Sequence, residues 1–144
     1  MSRTKTRKGA RNLVSLEMLL RALADRTRLR LLNLMGDAEL CVCYFVEVLQ
    51  TSQPKISRHL AYLRRAGIVA ARREGLWMHY RIIVPPDSHA SRILAEVRVS
   101  LRDDPEMRRD RERLRHACCA PEKFVRLQTA PQPTLAVMAT PERQ

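Results

Sequence analysis

The chain has 144 residues, 45% of them hydrophobic but only 4% aromatic, which is enough for one small domain packed mainly by Leu, Ile, Val and Ala. Lys and Arg number 27 against 15 Asp and Glu, a net charge of +12 that points to a polyanionic partner. The sequence has no run of roughly 20 apolar residues for a membrane span and no apolar stretch after its basic start as a secretory signal requires, so a cytoplasmic protein is expected, in which cysteines serve as metal ligands or reactive thiols rather than disulfides.

Residues 1–12 are polar and basic and read as a flexible arm. Leu16, Leu19, Leu20 and Leu23 recur at helical spacing and predict a first helix over 13–24. Asp25 and Thr27 supply caps for a second helix containing Leu29, Leu32, Leu34 and Met35, and Gly36-Asp37 ends it. Glu39–Cys43 leads into a third helix over 43–50, with Phe45, Val46 and Leu49 inward. After a capping turn at Thr51-Ser52, a fourth helix covers 53–66. Pro54 suits its first turn, Ile56, Leu60 and Leu63 form a buried stripe, and Gly67 stops it.

Two strands follow, 68–73 and 76–83, joined at Glu74-Gly75 in a tight hairpin. In the second, Leu76, Met78, Tyr80 and Ile82 alternate with Trp77, His79 and Arg81, so one face packs and the other meets solvent or DNA. Pro85-Pro86 breaks the sheet, and Asp87 or Ser88 caps a helix reaching 101, with Ile93, Leu94, Val97 and Leu101 on one face. A helix over 105–117 is arginine-rich and mixed in sign, with Met107 and Leu114 as isolated apolar points, and reads as a solvated face. Beyond Cys118-Cys119 the prolines at 121, 131, 133 and 141 argue for an irregular tail. The expected architecture is mainly α with a β-hairpin wing: an arm at 1–12, a winged helix-turn-helix domain at 13–102, and a C-terminal helix and tail at 103–144.

Two short helices joined by a tight turn and followed by a hairpin make a winged helix-turn-helix, whose second helix reads the major groove. Between Gln53 and Arg81 stand seven basic residues and one acid, Glu74. Gln53 can pair bidentately with adenine, and Lys55 or Arg58 can reach guanine. Ser57 and His59 are placed to touch bases or backbone, Tyr62 and His79 are further candidates, and Arg72 and Arg73 suit phosphates or the minor groove. A lone basic helix reads equally well as a solvated face; the succession of turn, buried stripe and basic hairpin favours DNA.

Cys41 and Cys43 form a thiol pair of the kind that selects soft ions. At i, i+2 on a regular helix they stand about 200° apart and cannot share an ion. The pair therefore works only at a non-helical helix N-terminus, where the dipole and free N–H groups also favour the thiolate. The bland alternative is a small buried hydrophobe, and for Cys118 and Cys119 an incidental tail pair. A thiol enzyme is disfavoured. Six positions after the four cysteines stand Glu47, Leu49, Phe124 and Val125 rather than Arg, and no Cys-x-x-Cys or glycine-rich phosphate loop exists.

ELCVC (39–43), SQPKISRHLAYLRRAGIV (52–69) and GLWMHYRI (75–82) together are similar to the arsenic-repressor branch of the ArsR/SmtB family, and ALADRTRLRLL (22–32) resembles that family's second-helix box. The resemblance covers residues 16–84. It implies a homodimeric winged helix repressor, joined through its first helix and the helix after the wing, that leaves operator DNA when trivalent arsenic or antimony binds its cysteines; no catalytic cofactor is implied. Where the family carries a third cysteine, three residues after the second, this chain has Val46. Cys118 and Cys119 are candidates to finish the site, within a subunit or across the dimer; alternatively two thiols suffice, as would suit a methylated arsenical. The family's zinc site is half present: Asp87-Ser88-His89 resembles its first part, but Ser100 and Asp103 stand at the second. A repressor of the same fold responding to Cd, Pb, Zn or thiol oxidation is the alternative.

Overall fold

A computed structural model describes residues 13, 15–119 and 130–133. The expected arm at 1–12 and most of the expected tail lie outside the described residues. The elements are α1 (15–23), α2 (Arg26–Met35), β1 (Leu40–Cys41), α3 (Val42–Leu49), α4 (Gln53–Arg65), β2 (Val69–Glu74), β3 (Trp77–Ile82), α5 (Ser88–Arg102) and α6 (Pro105–Cys119). The architecture is a winged helix-turn-helix.

Local chemistry sets the boundaries. Asp25 caps α2 by accepting the Arg28 backbone N–H at 2.9 Å, and Asp87 does the same for α5 from Ala90 at 2.9 Å. Ser52 occupies the N-cap position of α4 but makes no side-chain cap bond, contrary to the capping role expected of Thr51-Ser52; Thr51 instead donates to the Leu49 carbonyl. Gly67, at φ +79°, turns the chain out of α4 while its N–H and that of Ile68 close on Arg64 and Leu63. In the wing, Glu74 pairs with Trp77. Of the two loop residues between them only Gly75 has positive φ, the pattern of a type II′ turn.

The sheet has three antiparallel strands in the order β1-β3-β2. The sequence signalled only two. Two residues, Leu40 and Cys41, are too few to show an alternation, yet they pair with Tyr80 and His79. Behind the sheet the stripe Ile56, Leu60 and Leu63 is fully buried with Tyr44 and Phe45, and the Phe45 and Tyr80 rings meet edge to face at 6.4 Å.

Helix α6 departs most from expectation. It is no solvated face: Met107, Asp110, Leu114, Ala117 and Cys118 are buried at helical spacing, against α2 and α3. Its acids serve arginines of α2. Asp110 accepts a fork from Arg30 at 2.7 and 2.9 Å, and Glu106 pairs with Arg26. Asn33 of α2 donates to the Met107 carbonyl. No helix among the described residues is long and apolar enough to cross a membrane.

Candidate nucleic-acid interface and thiol site

The turn after α3 and the first turn of α4 present Gln53, Lys55 and Arg58 to solvent, with Ser57 half-buried among them. His59 and Tyr62, expected on the same face, lie elsewhere. They flank the buried stripe, His59 three residues after Ile56 and Tyr62 beside Leu63, and so turn towards α2. His59 Nδ1 stands 3.4 Å from the Arg28 guanidinium and 3.8 Å from Asp25. Burial lowers its pKa, and Arg28, Lys55 and Arg58 lower it further against the opposing pull of Asp25, so the ring is neutral near pH 7. The Tyr62 ring has Arg28 at 4.2 Å and Arg65 at 5.5 Å from its centroid. Arg28 was not singled out from the sequence. It also donates to the carbonyls of Ala22 and Arg21, each at 2.8 Å, satisfying the end of α1 while fixing the side of α4.

On the wing, Arg73 is exposed, its Nε on the Gly75 carbonyl. Arg72 is half exposed and engaged: it donates to Glu39 at 2.6 and 2.9 Å and to Glu74 at 3.2 Å. This pairing holds the Glu39 carboxyl below its usual range. His79 is 4% exposed, not on a wet face. β3 is the middle strand, with Cys41 of β1 and Arg72 of β2 beside His79 in the ladder, so it has neighbours on both sides that a two-stranded hairpin would lack. His79 Nε2 lies 3.2 Å from Glu74 Oε2 but off the geometry of a hydrogen bond.

Cys41 is fully buried and Cys43 half-buried, and both thiols are free. Cys41 is extended (φ −68°, ψ 145°) and stands at the N-cap position of α3, while Cys43 is the second residue of the helix. This change of conformation between them removes the angular separation a continuous helix would impose. Their sulfurs lie 3.0 Å apart, Cys43 donating to Cys41. That thiol bond, helped by the backbone N–H groups of Cys43 and Val42, pulls Cys41 down to about 7 against the effect of burial. Cys43, as the donor, is pushed up, first by the same bond and then by burial.

Cys118 is buried in the face of α6 that packs on α3. The Tyr44 phenol is raised first by burial and then by Cys118, Cys43 and Cys41 in turn, and its oxygen has no hydrogen-bond partner among the described residues. No group of three His, Cys, Asp or Glu residues that could hold a metal forms among the described residues. Cys119 ends α6, and its side chain lies outside them. The structure therefore brings two sulfurs together. Glu39 and Tyr44, their neighbours, carried no signal in the sequence beyond their adjacency to Cys41 and Cys43.

Residues 25–71, which hold α2, the thiol pair, α4 and the start of the wing, match the family described as bacterial regulatory protein, arsR family. The arsenical resistance operon repressor of Escherichia coli is 46% identical over 79 residues, 54% of this chain and 68% of that protein. The chain belongs to the ArsR family. Arsenic resistance transcriptional regulator ArsR1 of Pseudomonas putida is 48% identical over 73 residues, but the match spans only 50% of this chain and 57% of that protein. In three dimensions, the homodimeric winged helix-turn-helix DNA-binding domain of a Mycobacterium bovis protein superposes with a TM-score of 0.55 at 30% identity, covering 65% of this chain and 83% of that one. This ArsR-family chain is a DNA-binding transcriptional repressor, not an enzyme.

Proposed function

We propose that this ArsR-family repressor acts in the cytoplasm as a homodimer and leaves its operator when trivalent arsenic or antimony is captured by Cys41 and Cys43. The observation that carries the reading is the 3.0 Å approach of the two thiols where β1 meets α3. Two sulfurs bonded to one soft ion at about 2.3 Å stand roughly 3 to 4 Å apart, so the pair is within reach of a shared ion. The relatives named for arsenic resistance support the same inducer class.

Release follows from what the pair is attached to. Cys41 belongs to a strand laddered on the wing, and Cys43 to a helix packed on the reader α4. Replacing the thiol–thiolate bond and its N–H contacts by bonds to an ion reorganises the first turn of α3 and so displaces both DNA-contacting elements. A coupling of about 1–3 kcal/mol lowers DNA affinity roughly 5- to 150-fold. In the dimer, the exposed apolar side chains Leu13, Met18 and Leu20 near α1 and Val99 on α5 are covered by the second copy. The two α4 helices then stand about one DNA turn apart, with Gln53, Lys55, Ser57 and Arg58 at bases and Arg72 and Arg73 at the backbone.

The test is fluorescence anisotropy on a duplex selected in vitro by the apo protein. Cys41→Ser and Cys43→Ser should bind it as the wild type does and fail to release it with arsenite. Serine variants that still dissociate normally defeat the reading. The same sulfur approach favours one second reading, relief by oxidation of the pair to a disulfide. Peroxide, reduced to water as it takes two electrons from the pair, then releases DNA without arsenic, and mass spectrometry shows two hydrogen atoms lost.

A further inference from the structure

Cys43 also forms one wall of a cleft of about 730 Å³. Its other walls are Val46, the turn at 50–52, Gln53 at the head of the reader helix, and Trp77 on the wing. We propose that this cleft receives the carbon substituent of a monoorganyl trivalent arsenical held by Cys41 and Cys43, and that such compounds are preferred to inorganic arsenite as inducer. The proposal rests on the reading that the thiol pair is the inducer site, and it names the ligand class.

Trivalent arsenic makes three bonds, and two thiols supply two of them. No third sulfur, imidazole or carboxylate joins the pair among the described residues. One helical turn beyond Cys43 stands Val46, 8% exposed and without a lone pair. Arsenite captured by the pair alone keeps one hydroxyl. An organyl arsenical, R–As(OH)2, instead exchanges both hydroxyls: two As–S bonds form, two As–O bonds break, and the thiol protons leave with the hydroxyls as two waters. Arsenic stays trivalent, so no oxidant or reductant is needed, and the As–C bond is untouched.

The carbon group then lies beside Cys43, where Val46 and Trp77 offer apolar surface and the cleft has room for a phenyl ring. The same group presses on the turn at 50–52 and on Gln53. The substituent thus gains affinity by leaving water and acts directly on the element that reads DNA. An apolar group that leaves water for apolar walls is worth roughly tenfold or more in discrimination.

The experiment compares arsenite, methylarsenite and phenylarsenite on the full chain. One readout is DNA release; the other is fluorescence of Trp77, the chain's single tryptophan, without DNA. Concentrations are normalised to the preference that a small free dithiol shows for the same three compounds. Phenylarsenite should act at roughly tenfold lower normalised concentration than arsenite. Val46→Cys, which supplies a third sulfur one turn from Cys43, should bring arsenite to parity. Trp77→Ala, read by DNA release alone, should weaken the phenyl compound and leave arsenite unchanged. Equal normalised potency of arsenite and phenylarsenite in the wild type, with Cys41→Ser inert to both, overturns the proposal and leaves the thiol reading standing. Release by neither compound, or release undiminished in Cys41→Ser, overturns the thiol reading itself.

Discussion

Cys41 faces His79 across the β1–β3 ladder, and His79 faces Arg72 across the β3–β2 ladder. One row of residues thus crosses the sheet from the thiol pair to the wing arginine. Glu39, two residues before Cys41, ties the same ends by its bond to Arg72. The thiols are joined by two routes, through the sheet to the wing and through α3 to α4. A disturbance at Cys41 has a mechanical path to the wing that a two-stranded hairpin would lack.

The bond to Glu39 occupies an arginine otherwise available to phosphate. Glu39→Gln removes that competitor. Apo protein should then bind DNA more tightly, and log affinity should fall more steeply with log salt, by about 0.9 for each added phosphate contact, one per subunit of the dimer. Anisotropy titrations over a salt series measure both quantities. An unchanged slope would mean that Arg72 is not a phosphate ligand even when released.

The thiol pair predicts a pH dependence. Cys41 titrates at about 7 in the fold against an ordinary value of 9.0. A depressed acid stabilises the fold fully above its unfolded pKa and loses that contribution as pH falls through the folded one, because the unfolded chain then binds more protons. Between about 7 and 9 the contribution of Cys41 to stability should therefore rise with pH. Cys43, pushed upward, opposes this above its own ordinary value. Cys43→Ala removes the donor that stabilises the Cys41 thiolate. Thiolate ultraviolet absorbance should show a midpoint near 7 in the wild type, moved upward in the variant.

The parts legible in the sequence share a physical reason. α4 was marked by a stripe, a proline in its first turn and a terminal glycine, all short-range signals, and Ile56, Leu60 and Leu63 are fully buried as expected. That Cys41 and Cys43 can meet only outside a regular helix is a matter of backbone geometry alone, and the extended Cys41 meets the condition. What stayed hidden depended on partners distant in the chain. β1 is too short to alternate, and without it β3 reads as an edge strand with His79 on a wet face; paired on both sides, His79 is buried. The acids of α6 look like solvent-facing charges until Arg26 and Arg30, some 80 residues away, are set against them. Arg28 likewise reads as one basic residue among many until His59 and Tyr62 are seen to pack on it.

The fork between Arg30 and Asp110 is a stability element. Asp110 is 2% exposed and its partner side chain 21%. Asp110→Ala leaves the largely buried Arg30 guanidinium with only its longer contact to Glu106, at 3.3 Å, and should cost about 1.5–3 kcal/mol. Urea unfolding checks this. A loss well below 1 kcal/mol would indicate that α6 contributes little to the fold.

The opposite orientations of two adjacent residues on the reader helix give the sharpest separation of recognition from support. Arg58 projects to solvent from the first half of α4, whereas the His59 side chain is 16% exposed and held against Asp25 and Arg28. Arg58→Ala should lose about 1–3 kcal/mol of binding if it forks onto a guanine, and the loss should disappear on a duplex with that base pair exchanged. His59→Ala should keep the full preference between the two duplexes and lower thermal stability by about 1 kcal/mol, since it removes packing rather than a base contact. The four combinations of variant and duplex, with a melting curve for each protein, resolve the assignment. Base discrimination lost in His59→Ala and kept in Arg58→Ala would reverse the roles given to these two side chains.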